Sequence, residues 1–238
     1  MPLESPAGEV HRPTSSVAAG KATPTPSVPS GVSPFRFPAT GQTKSYKAHK
    51  AEGGQDLVAV PDDGATRAGA SLRFVDNGDG TVTDLNTGLM WEKKCDTCGG
   101  LHDHRSLYRW SGDGQSETIW DWLDAVNSEG GHGLARHRDW RIPNAKELVS
   151  IVDYARFDPA VGEAFNGALC QSGCKTLAEP QCSCVAASLY WTSTTFADFP
   201  AHALIVDFAS GLVDDRIKTN RHHVRAVRNV SSATPHAH

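Results

Sequence analysis

Four cysteines, Cys170, Cys174, Cys182 and Cys184, crowd into a segment, residues 158–187, with few large apolar side chains. A segment of that length is unusual as a plain loop in a compact domain unless cross-links hold it. Cys95 and Cys98 bring the total to six. Even, clustered cysteines in a chain rich in Gly and Trp predict a disulfide framework and an oxidising compartment. Among the four, three connectivities are open. A Cys182–Cys184 bond would close a strained ring, which favours pairs joining Cys170 or Cys174 to Cys182 or Cys184. The expected location is therefore extracytoplasmic: secreted, cell-surface or periplasmic. The opening residues MPLESPAGEV have no apolar h-region, so no signal peptide is visible and a cytosolic chain is the alternative.

Composition changes along the chain mark its parts. Residues 1–34 are rich in Pro, Ser, Thr, Ala and Gly and bury too little to offset their ordering entropy, so they are expected to form a disordered stalk. Residues 35–70 read as an irregular arm. The folded domain is expected over residues 35–229, with a polar tail at 230–238. In LRFVDNGDGTVTDLNTGLMWEK, turn residues at Asn77–Gly80 and Asn86–Gly88 separate three strands. Ile119, Trp122, Leu123 and Val126 make one apolar helical stripe. PNAKELVSIVDY predicts a second helix, with Asn144 as N-cap, Glu147 at capping-box spacing, and Leu148, Ile151 and Val152 buried. LYWTSTT, then AHALIVDFASGLVDD turning at Ala209–Gly211, then HHVRAVRNV read as closing strands. Strands, two helices, a loop-rich insertion and strands again make an α+β fold, with first and last strands close together.

Four of these blocks resemble the Lcl C-terminal domain family in that family's order: FVDNGDGTVTDLNTGLMWEK, DWRIPNAKELVSIVDY, LYWTSTT and KTNRHHVRAVRN. FPATGQTKSY resembles the family's lead-in, so the resemblance covers about residues 36–229. It implies a C-type-lectin-like fold, an antiparallel sheet with two helices and long disulfide-bearing loops, on an exported bacterial protein. The family's best-studied member is an adhesin that binds sulfated glycosaminoglycans and host matrix. This chain differs in having no collagen-like repeat and a net charge of −4.

Several constellations have both a functional and a structural reading. Asp76, Asn77, Asp79 and Asp84 suggest a calcium loop, but Val75 stands where an EF-hand register needs an acid, so a hairpin turn is expected. Cys95, Cys98, His102 and His104 could hold zinc, yet the spacing suits a small disulfide loop beside surface histidines better. Trp91, Trp122, Trp140 and Trp191 lie in apolar blocks and read as core, whereas Trp110 and Trp120 flank polar sequence and are candidates for exposure. Arg216, Lys218, Arg221, His222, His223, Arg225 and Arg228 make the last strands basic. Alternation would place Arg221, His223 and Arg225 on one face, suited to sulfate or carboxylate groups. Internal pairing with Asp207, Asp214 and Asp215 is the competing reading. Asp139 and Arg141 are expected to pair with each other.

The expected function is a ligand-binding or adhesin-type module recognising glycans or host and matrix components. Its expected binding residues are Trp110, Arg216, Lys218, Arg221, His223 and Arg225. No nucleophile–base set, phosphate loop or dinucleotide fingerprint stands out, so no catalytic residue, metal or cofactor is expected. The expected partner is a polysaccharide or a surface protein. The negative net charge argues against nucleic acid, and no apolar run approaches the length that membrane insertion needs. Two alternatives stand beside this. One is a formylglycine-generating-enzyme-like oxidoreductase using Cys95 and Cys98 to hold copper; the other is a structural part of a surface assembly.

Overall fold

A computed structural model describes residues 37–45, 61–112, 114 and 117–230. The expected stalk, and all of the expected tail except Val230, lie outside the described residues. The arm contributes a short helix, α1 (Asp63–Thr66), and a bridge between Pro38 and Ala70.

Turn chemistry builds the first sheet. β1 (Phe74–Asp76) and β2 (Thr81–Asp84) form a hairpin, and β3 (Leu89–Glu92) follows antiparallel. Asp76 Oδ1 accepts from the Gly78 N–H at 2.9 Å, and Asp79 Oδ1 accepts from the Thr81 N–H and hydroxyl. The acids of the supposed calcium loop are thus spent on the turn, as expected. The next short strand is β4 (Tyr108–Arg109).

The helix α2 (Ile119–Ser128) starts with a capping box between Thr118 and Asp121 and buries Ile119, Trp122 and Val126. The helix α3 (Ala145–Val149) has the expected Asn144–Glu147 capping box but is shorter than expected. Ile151 and Val152 leave the helix, and Val152 bridges Val161. β-branched residues fit this extended pairing better than another helical turn.

The remaining strands are β5 (Leu189–Thr195), β6 (His202–Asp207), β7 (Leu212–Ile217), β8 (Arg221–His222) and β9 (Val227–Asn229). β9 pairs with β3, so the four-stranded sheet runs β1-β2-β3-β9 and joins the two ends of the domain. β5-β6-β7 is a second antiparallel sheet, and β4-β8 a third, two-stranded one.

The central strands are covered on both faces. Tyr190 and Val206 pack with Trp91, Leu148 and Phe165 on one side; Trp191, Ala203 and Ile205 pack with Ile119, Trp122 and Trp140 on the other. The four tryptophans expected in the core are there, each at most 3% exposed. Burying each large side chain contributes roughly 1.5–3 kcal/mol. The edge strand β7 is blunted at its middle: Asp214 Oδ1 accepts the Asp215 N–H, and Arg216 Nη1 donates to the Asp215 carbonyl.

The disulfides are Cys95–Cys98, Cys170–Cys184 and Cys174–Cys182. The last two are nested and, as expected, join Cys170 and Cys174 to Cys184 and Cys182. They cross-link residues 158–187 internally, and backbone hydrogen bonds join that segment to the small loop: the Asp96 N–H donates to the Cys174 carbonyl and the Cys184 N–H to the Lys94 carbonyl.

Beneath these loops lies a buried ionic cluster that the sequence reading did not anticipate. The fully buried Glu92 carboxylate meets Lys94 Nζ at 2.9 Å, His102 Nδ1 at 2.6 Å and the Ala226 N–H at 2.8 Å. His102 Nε2 continues to Glu129 at 3.0 Å. Burial opposes charge on His102, but hydrogen bonds to Glu129 and Glu92 prevail and raise its pKa to about 9. His223 behaves oppositely: burial, with the nearby charges of His104 and Lys94, lowers its pKa to about 4.

The signs give a pH optimum. A raised histidine contributes stability that is complete below about 6.5, its unfolded value, and is lost as pH rises through about 9. A depressed histidine contributes stability that is complete above about 6.5 and is lost as pH falls through about 4. Thermal stability is therefore expected to peak near pH 6.5 and to fall on both sides; differential scanning calorimetry across pH 4–9 checks this. His102→Gln should flatten the alkaline limb and leave the acid limb in place.

Candidate ligand-binding surface

The pairing of β4 with β8 brings distant residues to one surface. Tyr108 stands opposite His222, and Arg109 opposite Arg221. The chain leaving β4 is tethered to the turn before β8, because the N–H groups of Trp110 and Ser111 both donate to the Lys218 carbonyl. Trp110 is fixed further by its Nε1–H, which donates to the Thr192 carbonyl at 2.8 Å. Trp120 comes from the first turn of α2, outside the buried stripe, and is 38% exposed. The two indoles meet edge to face, with centroids 5.0 Å apart.

One cation contacts this aromatic pair, and two more stand opposite each other on the adjoining β4–β8 ladder. Lys218 Nζ lies 4.0 Å from the Trp110 ring centroid and donates to Thr195 Oγ1 at 2.9 Å. Arg221 is exposed, and among the described residues its side chain bonds the Leu107 carbonyl alone, at 3.4 Å. Arg109 is half-buried, and its Nε is buried without a partner. Like charges directly opposite on a ladder repel. Among the described residues, no carboxylate forms a salt bridge with Arg109, Lys218 or Arg221.

Of the six residues read as binding, the fold brings together Trp110, Lys218 and Arg221. Arg216 is engaged elsewhere: its Nη1 meets Asp214 at 2.5 Å, as the internal-pairing reading expected. His223 and Arg225 need correction. His223 is 8% exposed and stacks on Tyr190 at 5.1 Å, so its imidazole serves the core. Arg225 is 0% exposed; its Nη1 donates to the Glu92 carbonyl at 2.7 Å and its Nη2 to the Cys184 carbonyl at 2.5 Å. The expected alternation fails because the strand breaks between β8 and β9, and residues 223–228 are all buried.

The Asp139–Arg141 pairing also needs correction. Arg141 makes a two-pronged bond to Glu147, at 2.6 and 2.7 Å, while Asp139 takes Arg228 at 2.8 Å. Bidentate geometry with a carboxylate six residues along wins over a carboxylate two residues back. Sequence reasoning missed Arg109 altogether. No local signal marks it, because its partner strand lies over a hundred positions away.

Among the described residues, no group of three or more His, Cys, Asp or Glu side chains could hold a metal ion. His102 is committed to two glutamates, and His104 approaches Asp96 at 3.7 Å. No helix among the described residues is long and apolar enough to cross a membrane.

One protein family, described as the Lcl C-terminal domain, matches residues 80–228. The matched stretch holds all six cysteines, both helices after the arm, and every residue of the Trp110–Lys218 surface. It is narrower at the N-terminal side than the sequence resemblance suggested. No curated protein matches the chain.

Proposed function

We propose that this chain, which belongs to the Lcl C-terminal domain family, is an extracytoplasmic, non-enzymatic binding module of the adhesin type. In this reading its fold is C-type-lectin-like, and its ligand is an anionic polysaccharide or an acidic surface protein. The supporting observation is the Arg109–Arg221 pair with Lys218 in the turn before β8, three cations with no carboxylate salt bridge among the described residues. A ligand sulfate or carboxylate relieves their repulsion and gains charge-assisted hydrogen bonds. The exposed Trp120 offers an apolar surface to the rest of the ligand.

The fold assignment is supported by terminal strands that share one sheet and by a disulfide-held loop region between helices and closing strands. Three disulfides support an oxidising compartment. The bond between Cys95 and Cys98 occupies the thiols that the copper reading named, so a copper-dependent thiol oxidation assay is expected to give no turnover.

An array of sulfated, carboxylated and neutral glycans with matrix proteins tests the reading. Binding should favour the anionic ligands and weaken steeply as salt rises. Lys218→Ala and Arg221→Ala should each weaken it about tenfold, the loss of one charge-assisted bond. Binding indifferent to salt and to both substitutions would refute the basic surface.

A further inference from the structure

A second concavity, of about 590 Å3, opens on another part of the domain and shares no residue with the Trp110–Lys218 surface. The arm, the β2–β3 turn, α3 and the end of β9 enclose it. Its floor is apolar, formed by Leu89, Val149 and Val152. Phe37 and the partly exposed Tyr154 add two aromatic rings to its wall.

Three asparagines on the lining share one property: among the described residues, the fold pins one end of each amide and leaves the other end without a partner. Asn86 Nδ2 donates to the Ser71 carbonyl at 2.8 Å, leaving Oδ1 without a partner among the described residues. Asn144 Oδ1 accepts from the Glu147 N–H at 3.0 Å, leaving Nδ2. Asn229 Oδ1 accepts from Arg141 Nη2 at 3.1 Å, leaving Nδ2. The amide orientations follow from these fixed partners. Their free ends are thus two donors and one acceptor, oriented before any ligand arrives.

The charges decide what fits. Arg141 neutralises the Glu147 carboxylate in the wall, and Lys146 is then the one other charged side chain on the lining. A polyanion finds no cluster of cations here. Oriented amides beside aromatic and aliphatic surface complement a ligand with neighbouring hydroxyls and apolar C–H faces.

We infer that this groove is a binding site for a neutral oligosaccharide of a few residues, separate from the anionic-ligand surface. The inference does not depend on the anionic reading.

Maltotriose, cellotriose and tri-N-acetylchitotriose are the probes, titrated by calorimetry into the full oxidised chain in about 1 M salt, where charge attraction is screened beyond about 3 Å. At least one should bind. Asn229→Ala should weaken it about fivefold and Tyr154→Ala about tenfold. Ser150→Trp, which fills the groove from α3, should abolish binding while a thermal melt confirms the fold; if that variant does not fold, the two truncations decide. Lys218→Ala and Arg221→Ala should leave it unchanged. No binding by any probe at tens of millimolar, or binding that survives Asn229→Ala and Tyr154→Ala, would overturn the inference.

Discussion

Arg225→Ala is expected to destabilise the domain by about 3–5 kcal/mol, enough to lower its melting temperature by roughly 10 °C. The guanidinium is fully buried, with its centre 5.3 Å from the Phe165 ring centroid. Its two Nη groups satisfy the carbonyls of Glu92 and Cys184, joining β3 to the disulfide-held loop. Truncation strands both carbonyls in an apolar surrounding and opens a cavity beside Phe165. Arg225→Lys should recover only part of the loss, because one ammonium cannot reproduce the planar fork. Urea unfolding measures both. The same truncation at Arg221 should change stability by less than about 0.5 kcal/mol, as is usual for exposed side chains.

Reduction of the disulfides is the second large perturbation. Each native bond in a loop of this kind is worth about 2–5 kcal/mol. The loss should concentrate in residues 158–187, which have little regular structure beyond one short 3-10 turn at Ala168–Gln171. Lys175 is exposed and is the one Lys or Arg in that stretch. Trypsin should therefore cut after Lys175 much faster in reduced than in oxidised protein, with mass spectrometry reporting the site. Equal cleavage in both states would show that packing alone holds the loop.

Reading from sequence succeeded where the determinants are local. The Asn144–Glu147 capping box, the turns around Gly78 and Gly88, and the pairing of Cys170 and Cys174 with Cys184 and Cys182 all depend on spacing within a short stretch. The core tryptophans announced themselves by their apolar neighbours. Failures came where long-range pairing decides. Arg225 looked solvent-facing because alternation was extended through residues 221–226, yet the strand breaks and the segment dives between β3 and the disulfide loop. A charged residue usually marks a surface, and only the Glu92 and Cys184 carbonyls explain its burial. Glu92, Lys94 and His102 were unremarkable in sequence for the same reason, since burial turns them into a network and sequence does not report burial. Of the five residues of the proposed surface, Trp110, Lys218 and Arg221 were read as binding from the sequence. Arg109 and the edge-to-face role of Trp120 depend on where β4 and α2 begin in space.

The most direct test of the binding surface is the response of the indole N–H resonances to the anionic ligand that the array selects. The chain has six tryptophans. Trp110 and Trp120 should shift on titration, while the buried Trp91, Trp122, Trp140 and Trp191 stay in place. A bound ligand that leaves both Trp110 and Trp120 unmoved would contradict the assignment of recognition to this surface.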